Sequence, residues 1–426
     1  MNGEDAVDPR SHGQTTFLSG ARIACGPEQS SFGSIEIVRG RIASILTDVQ
    51  RQQLRSPVAT KIDLSGFVIL PGLLNAHDHL EFALYPRLAD PPYRNYVDWG
   101  EDIHRKFADV IAAQHAIPRT IRLWCGAVRN LLCGVTTVCH HNPLWPELLC
   151  ADFPVRVVSQ YEWEHSPALG GDLRAAHAAR RAGYPFIIHA CEGTDDLARS
   201  ELWQLDQLGL LDEDTVLVHG LAIDRAGVAL INERRASLVV CPSSNSFLYG
   251  ALPDMKTLGA VERLALGSDS PLTAKGNLLD EINFAMHRCG IPPESAYRMV
   301  TTSPASILRL GNGEGSIRQF GVADLVAVCD TGMIPAEQLC ASPAEAIELV
   351  MIGGRVQLAS EALMERLPAH VKHGLEPLVV GRMIRWLRAP VQELLHAAEK
   401  VLGKDHLHLG NQSISAASLV ESSYAN

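Results

Sequence analysis

Two histidines separated by one residue follow an apolar run in the stretch PGLLNAHDHLEF, residues 71–82. On an extended strand the side chains at i and i+2 point to the same side, so His77 and His79 would lie next to each other. Two imidazoles on one side of a strand are poor core residues and suitable ligands for a metal ion. The stretch alone leaves a second interpretation open, a strand end whose polar residues reach solvent.

Further residues of metal-binding type occur where later apolar runs end. They are His189 in PFIIHACE (185–192), His219 in TVLVHG (215–220) and Asp269 in LALGSDS (264–270). In a barrel of alternating strands and helices, the C-terminal strand ends converge on one face, where such enzymes carry their chemistry. Each residue alone could be an ordinary hydrogen-bonded polar group, but five of them at strand ends together indicate a metal site.

These runs belong to a pattern in which short β-branched segments alternate with longer helix-like segments, as in a parallel α/β sheet. The remaining candidate strands are GVTTVCHH (134–141), VRVVSQYEW (155–163) and SLVVCPSSN (237–245). The candidates number seven, whereas a closed (β/α)8 barrel needs eight, and 142–180 is where we expect the missing strand. Short β-like segments near both chain ends predict a small β domain beside the barrel.

Composition excludes several classes of partner. A net charge of −11 over 426 residues argues against nucleic acid or an anionic membrane as the main partner. The apolar segment FVILPGLLNA is much shorter than the roughly 20 residues of a bilayer span, and the acidic first residues do not resemble a secretory signal. Ten cysteines without a CxxC pair suit reduced thiols. We therefore expect a cytoplasmic protein with a small-molecule substrate.

The motifs at these strand ends resemble those of the amidohydrolase superfamily. They are NAHDHL, HACEG, VLVHG and GSDS, joined by CPSSN and by TTSPASILRLG (301–311). The last two are similar to the branch of cytosine deaminases, guanine deaminases and chlorohydrolase-like enzymes, to which imidazolonepropionases are related. The resemblance covers about residues 34–359 and implies an α/β fold, a (β/α)8 TIM barrel with a small β-sandwich domain built from both chain ends.

The resemblance also implies domain boundaries. Residues 1–70 would form the first part of the β-sandwich domain, with a loose tail over 1–14, and 71–312 the hydrolase barrel. Residues 313–360 would complete the sandwich, and 361–426 would be a helical C-terminal extension with a loose tail. In that extension, 375–403 has the pattern of one or two amphipathic helices that pack on the β domain or a second subunit. A homodimer is an assembly common among relatives.

Carried over by motif, the resemblance implies a role for each strand-end residue. His77, His79, His189 and Asp269 would hold the metal, His219 would hydrogen-bond the attacking water or the substrate, and Glu192 would move protons. Imidazoles and a carboxylate suit one divalent ion, Zn²⁺ with Fe²⁺ as the alternative, and leave a position open for water. Such an ion lowers the pKa of the water and supplies hydroxide near neutral pH.

The absence of lysine bears on the number of metal ions. Many two-metal relatives bridge their ions with a carboxylated lysine after the fourth strand, and this chain has no lysine between Lys106 and Lys256. One ion is therefore expected. Glu162 and Glu164 near a strand end keep a carboxylate-bridged pair open.

Four residues are candidates for substrate contact. Glu81 follows the histidine pair where relatives contact substrate, and Trp163 and His165 could stack on or hydrogen-bond a planar heterocycle. His141 ends the second strand, and because the expected ligand set is complete without it, we expect it to support the ligands or contact substrate.

These features predict a hydrolase of carbon–nitrogen bonds other than peptide bonds. The reaction expected first is deamination of a planar N-heterocycle by metal-bound hydroxide, with Glu192 protonating the ring nitrogen and Asp269 accepting a proton. Hydrolytic opening of a cyclic amide, as in imidazolonepropionase, is the alternative in the same class. A two-metal peptidase or lactonase and an inactive scaffold are further alternatives.

Overall fold

The computed structural model describes residues 15–47, 59–404 and 406–417. The predicted loose tail over 1–14 and the chain after residue 417 lie outside the described residues. No helix among the described residues is long and apolar enough to span a bilayer.

The N-terminal part of the described chain is a set of strands. They are β1 (Thr15–Ala24), β2 (Ser30–Val38), β3 (Arg41–Leu46), β4 (Thr60–Asp63) and β5 (Phe67–Pro71). β1 pairs antiparallel with β2 and parallel with β4 and β5, and β2 pairs with β3. In β4, buried and exposed residues alternate, as expected for a strand with one face on a core.

Eight parallel strands follow. They are β6 (Leu73–Asp78), β7 (Val135–His140), β8 (Arg156–Val157), β9 (Glu162–Glu164), β10 (Phe186–Ala190), β11 (Thr215–His219), β12 (Ser237–Val240) and β13 (Leu264–Leu266). β6, β7 and β8 form one parallel sheet, and β9 to β13 form another in chain order. β6, β7, β10, β11 and β12 are buried throughout, which is typical of parallel sheets covered on both faces.

Where the sequence predicts one strand over 155–163, the structure has two. β8 pairs with β7 and β9 pairs with β10, so this segment crosses from one sheet to the other. Between the two strands the hydroxyl of Tyr161 hydrogen-bonds the carbonyl of His140. The eighth strand thus lies within 142–180, as predicted. The hydrogen-bonded ladders of the described residues leave the two sheets separate, although the N–H of Asp269 donates to the carbonyl of His77 at 3.1 Å and brings the ends of β13 and β6 together.

Helices connect the parallel strands. They are α1 (Tyr96–Lys106), α2 (Ala108–His115), α3 (Arg119–Leu131), α4 (Leu173–Ala179), α5 (Asp196–Gln207), α6 (Arg225–Arg234), α7 (Pro242–Tyr249), α8 (Met255–Leu258), α9 (Leu278–Cys289), α10 (Pro293–Met299) and α11 (Thr302–Ile307). Several begin at a capping side chain: Asp195 and Asp224 accept N–H groups of the first turns of α5 and α6. Such caps satisfy donors that the helix itself leaves unpaired.

The C-terminal part returns to the first strands. It comprises β14 (Leu325–Cys329), α12 (Pro335–Ala341), β15 (Ile347–Ile352), β16 (Arg355–Ser360), α13 (Glu361–Arg366), α14 (Ala369–Lys372), β17 (Glu376–Val380), β18 (Met383–Leu387), α15 (Val391–Leu402), β19 (His408–Leu409) and β20 (Gln412–Ala416). β14 pairs antiparallel with β5, so strands from both chain ends share one 12-stranded sheet. This sharing is the arrangement that the segments at the two ends predict.

The C-terminal extension is less helical than predicted. Residues 376–387 form the antiparallel hairpin of β17 and β18, with Gly381 in the turn at φ +60°, and 412–416 form a strand rather than a loose tail. β-branched residues in 376–387 suit a strand, and a short apolar run cannot be assigned by periodicity alone. Only α15 matches the predicted amphipathic helix, and it buries Val391, Leu394, Leu395 and Ala398.

Candidate metal centre

His77 and His79 lie at the end of β6, on the side away from α3. Asp78 between them points the other way, as strand alternation requires. Its Oδ2 accepts hydrogen bonds from the amide of Asn130 at 2.6 Å and contacts the guanidinium of Arg129 at 2.9 Å. Asp78 therefore anchors the end of β6 to α3 and is not available as a ligand beside the two histidines.

A buried arginine on α3 joins the ends of β6 and β13. Besides contacting Asp78, Arg129 donates to the carbonyl of Asp269 at 2.9 Å and to the hydroxyl of Ser268 at 3.0 Å. The N–H of Ser268 in turn donates to the side chain of Asn75 at 3.0 Å. Arg129 thus fixes the first and last of the parallel strands relative to each other, and no motif in the sequence pointed to it.

The backbone turns sharply where two further residues enter the site. His219 and Asp269 have φ values of +76° and +53°, a conformation that is uncommon for residues other than glycine. Asp269 stabilises its own turn, because its Oδ1 accepts from the N–H of Ser270 at 2.7 Å. Such conformations concentrate at functional sites, where the surrounding structure holds them.

Five side chains from four strand ends converge. Nε2 of His77 lies 3.3 Å from Nε2 of His189 and 3.8 Å from Oδ1 of Asp269, and Nε2 of His79 lies 3.8 Å from the same Oδ1. The potential ligand atoms form two overlapping groups, one with His77, His189 and His219 and one with His77, His79 and Asp269. All five residues are buried. Both groups contain His77, so the geometry describes one centre.

Hydrogen bonds at the far nitrogens orient the imidazoles. Nδ1 of His189 lies 2.7 Å from the carbonyl of His165, and Nδ1 of His77 lies 3.3 Å from Nδ1 of His141. Nε2 of His141 lies 3.0 Å from the carbonyl of Glu164. A carbonyl only accepts, so His141 donates from Nε2 and its Nδ1 accepts the proton of His77. This assignment leaves the Nε2 lone pairs of His77 and His189 facing each other.

The donor set fits a divalent cation. Burial and the neighbouring histidines hold the pKa of His77 and of His189 well below the ordinary value, which keeps both rings neutral and able to bind a metal. Two lone pairs at 3.3 Å repel unless a cation lies between them. Hydrogen-bonding the distal ring nitrogen is how metal-binding histidines are usually held. The residues predicted as ligands therefore suit the predicted ion.

The environment moves the pKa values of two carboxyl groups at the centre in opposite directions. Burial raises the pKa of Glu192, which lies 3.5 Å from Nε2 of His219. Burial alone would also raise the pKa of Asp269, but the neighbouring His219 and His79 outweigh it and lower that pKa. Glu192 is therefore suited to carry a proton, and Asp269 to remain ionised.

Residues distant in sequence hold Glu192 and His219. The hydroxyl of Tyr249 donates to Oε1 of Glu192 at 2.7 Å, and Nδ1 of His219 lies 3.1 Å from Oδ1 of Asn245. Both partners are on α7. The CPSSN motif, whose last four residues form the first half of this helix, indicated Asn245, whereas nothing in the sequence indicated Tyr249.

Glu201 connects the loop after β10 with α1. Its Oε2 accepts from the N–H of Cys191, and its Oε1 accepts from the hydroxyl of Tyr96. Burial raises the pKa of Glu201 to about 7. Because Cys191 precedes Glu192, this buried carboxyl group links the predicted proton carrier to the first residue of α1.

A cavity of about 500 Å³ opens on the centre. Its polar side is formed by His79, His189, Glu192, His219 and Asp269. Its apolar side is formed by residues that pack together as one cluster: Phe82, Tyr85, Leu88, Trp99, Ile103, Ile111 and Leu272. The volume is in the range of small-molecule sites.

Among the four predicted substrate contacts, His165 is part of the cavity wall, while the wall formed by the described residues does not include the other three. Oε2 of Glu81 lies 3.1 Å from Nε2 of His140, so this carboxylate is held by a neighbouring strand end. His141 is buried behind His77, and Trp163 packs edge-on against His141 at 5.4 Å. These contacts bring His141 beside the predicted ligand His77, with Trp163 against His141.

Comparisons with known proteins identify the family of this chain. The amidohydrolase family model matches residues 165–356. A 5-methylthioadenosine/S-adenosylhomocysteine deaminase of Natronomonas pharaonis is 35% identical over 301 residues, which are 57% of this chain and 68% of the relative. A deaminase of the same name from Syntrophobacter fumaroxidans is 24% identical and covers 73% of this chain and 84% of its own length.

A solved structure has a fold similar to that of this chain. The crystal structure of an adenosine deaminase from Xanthomonas campestris with bound zinc matches with a TM-score of 0.71, at 18% identity, over 91% of this chain and 97% of the other. At this identity the likeness establishes a shared fold. With the 35% identical relative and the matching family model, it confirms the resemblance of the strand-end motifs. The chain belongs to the amidohydrolase family, and it is a hydrolase acting on carbon–nitrogen bonds.

Proposed function

We propose that this protein deaminates a planar aminoheterocycle of the 6-aminopurine nucleoside class. The observation that carries the proposal is the geometry of the centre: Glu192, hydrogen-bonded by Tyr249, lies 3.5 Å from His219, and Asp269 lies 3.8 Å from His77, with Glu192, His219 and Asp269 on one cavity. The pKa values of the two carboxyl groups, which shift in opposite directions, support it. Two titratable groups whose environments separate their pKa values are the usual sign of an acid and a base in one site. The names of the three proteins compared above, two 5-methylthioadenosine/S-adenosylhomocysteine deaminases and one adenosine deaminase, support this class of substrate.

Glu192 is the proton carrier of the proposed reaction. Its raised pKa favours the protonated form, and Tyr249 fixes its Oε1 at 2.7 Å. A carboxylic acid in this position can deliver its proton to a ring nitrogen, which makes the ring carbon more electrophilic and prepares loss of ammonia.

Asp269 is the proposed acceptor of the proton that the attacking water loses. Its Oδ1 accepts from the N–H of Ser270 at 2.7 Å and its Oδ2 from the hydroxyl of Thr273 at 3.0 Å. These hydrogen bonds stabilise the ionised form and orient both oxygens. His219, with its Nδ1 engaged by Asn245, is placed to hydrogen-bond the water or the substrate through Nε2.

We propose His77, His79, His189 and Asp269 as ligands of one zinc ion. When bound, the ion would lower the pKa of a water to near neutrality. The zinc-bound adenosine deaminase with the same fold supports this metal over iron. We further propose that the eight parallel strands close into one barrel within 71–312, and that the shared sheet of both chain ends forms the predicted sandwich domain.

The test is ammonia release by purified, zinc-loaded protein from adenosine and 5′-methylthioadenosine, with metal content measured in the same preparation. We expect ammonia, about one zinc per chain, and loss of activity on chelation that added zinc restores. Formation of a carboxylate from an imidazolone instead of ammonia from a purine would favour the cyclic-amide alternative. Full activity in metal-free protein would contradict the proposal.

A further inference from the structure

The cavity wall has a polar side and an apolar side. The polar side carries the groups that react, and the apolar side continues the wall away from them through aromatic and aliphatic side chains. Phe82 connects the two, since its ring stacks on His79 at 5.7 Å. A ligand whose ring reaches the polar side therefore extends its remaining part along the apolar side.

The apolar side offers few polar atoms. Nε1 of Trp99 donates to the carbonyl of Leu88 at 2.8 Å, and the N–H of Leu88 donates to the carbonyl of Leu272 at 3.0 Å. The indole and these backbone groups are therefore satisfied within the wall. The surface that remains for a ligand consists mainly of carbon.

Besides its apolar side chains, this part of the wall holds the carboxylate of Glu101 and the imidazoles of His104 and His115, all three exposed. Among the described residues, no lysine or arginine side chain belongs to the cavity wall, whereas the carboxylate of Glu101 does. Of the basic residues in the last turn of α1, His104 belongs to the wall, whereas Arg105 and Lys106 lie outside it. Arg105 and Lys106 contact Asp102 at 2.6 and 2.9 Å.

We infer that the substrate carries an uncharged, apolar substituent on the part remote from the reacting ring, and that a carboxylate-bearing substituent is rejected. This inference rests on the proposed function. At about pH 8, where a free imidazole is mostly neutral, a carboxylate packed on the apolar side would lose hydration without gaining a lysine or arginine partner, and the same wall holds the carboxylate of Glu101. An unpaired charge in such a place is strongly unfavourable.

Two substrates with the same purine test the inference. In 5′-methylthioadenosine the substituent ends in a neutral thioether, and in S-adenosylhomocysteine it ends in an ammonium and a carboxylate. We expect kcat/KM for the thioether to exceed that for the amino acid by about tenfold to a hundredfold. The assay is run at about pH 8, above the pKa of a free imidazole, so that histidine charge contributes little.

A charge-introducing variant makes the test specific. Ile111 belongs to the cavity wall and is only partly buried, while Ala112, next to it on α2, is exposed and outside the wall. Ile111→Arg should raise kcat/KM for the amino acid relative to the thioether, and Ala112→Arg should leave the wild-type ratio unchanged.

The outcomes separate the two proposals. Ammonia from neither purine would overturn the proposed function and this inference with it. Equal kcat/KM for the two substrates, or a preference for the amino acid, would overturn the inference alone. A ratio that Ile111→Arg does not move, in a variant whose circular dichroism matches the wild type, would also overturn it.

Discussion

The two sides of the cavity are built in different ways. The polar side comes from the ends of β6, β10, β11 and β13, and its groups are held by buried hydrogen bonds to α3, α7 and the strand ends beside them. The apolar side comes mainly from α1, α2 and the segment before them, where packing dominates and several residues are partly exposed. We infer that the hydrogen-bonded strand ends, here called the frame, fix the reacting groups. Substrate choice depends instead on the segment between β6 and β7, whose sequence can vary without disturbing the frame.

The largest expected effect is a difference in kcat between variants of Glu192, on the polar side, and of Glu101, on the apolar side. Glu192→Gln keeps the shape but removes the exchangeable proton, so kcat should fall by about 10²–10⁴-fold with zinc content unchanged. Ammonia release and metal analysis on one preparation measure both quantities. Glu101→Gln is the matched control, since Glu101 lies in the wall but away from the centre, and its kcat should match the wild type. A Glu192→Gln variant with wild-type kcat would remove Glu192 from the mechanism.

The second prediction concerns the contribution of Arg129, which holds the strand ends of the polar side, to the free energy of unfolding. Arg129→Met leaves Asp78 as a buried carboxylate without its cation, and breaking such a pair costs about 3–5 kcal/mol of unfolding free energy. Urea unfolding of the zinc-loaded protein measures the change. The control is Arg105→Met on α1, whose guanidinium is 75% exposed in its pair with Asp102, and the expected loss is at most about 1 kcal/mol. Equal losses in the two variants would argue against a special role for Arg129.

Glu201 provides a third test because it joins the two sides. Its folded-state pKa of about 7 exceeds the ordinary 4.5, so the folded protein binds the proton more tightly than the unfolded chain. The stability that this group contributes is fully present below about pH 4.5 and is lost as pH rises through about 7, by at most about 3 kcal/mol. Glu201→Gln cannot ionise; its amide oxygen can accept from the N–H of Cys191 as Oε2 does, and its amide N–H can donate to the oxygen of Tyr96.

The measurement is urea unfolding of both proteins between about pH 5 and 8. The difference in unfolding free energy, variant minus wild type, should increase with pH, because only the wild type buries a charge at the alkaline end. A difference that stays constant over this range would show that Glu201 does not titrate there. The comparison cancels the pH dependence of zinc binding, which both proteins share.

The convergence of these five side chains could be predicted from the sequence because it depends on local rules. Strand alternation places His77 and His79 on one side, and the end of each parallel run places His189, His219 and Asp269 on one face. The short motifs CPSSN and TTSPASILRLG also predicted the deaminase and chlorohydrolase-like branch of the family.

Tyr249 and Arg129 could not be predicted, because their contacts join distant parts of the chain. Tyr249 meets Glu192 from 57 positions away, and Arg129 meets Asp269 from 140. The hairpin at 376–387 was wrongly predicted as helix because its apolar residues fit either period. Glu81 follows the histidine pair, as a substrate contact would, yet its contact with His140 is decided by the neighbouring strand.

The smallest expected effect concerns the hydrogen bond behind His77. His141→Phe removes the acceptor that fixes the proton on Nδ1 of His77, so Nε2 is no longer held as the lone pair directed at the ion. Loss of such a partner typically weakens metal affinity about 10–100-fold, and competition with a chelator measures it. Trp163→Phe is the matched control, because Trp163 contacts the other side of His141 through its ring alone and should leave zinc affinity unchanged, as should Trp99→Phe on the apolar side. If His141→Phe binds zinc as tightly as both controls, the hydrogen bond from His141 does not contribute to metal binding. The polar and apolar sides of the cavity would then differ in how deeply their residues are buried and not in how hydrogen bonds hold them.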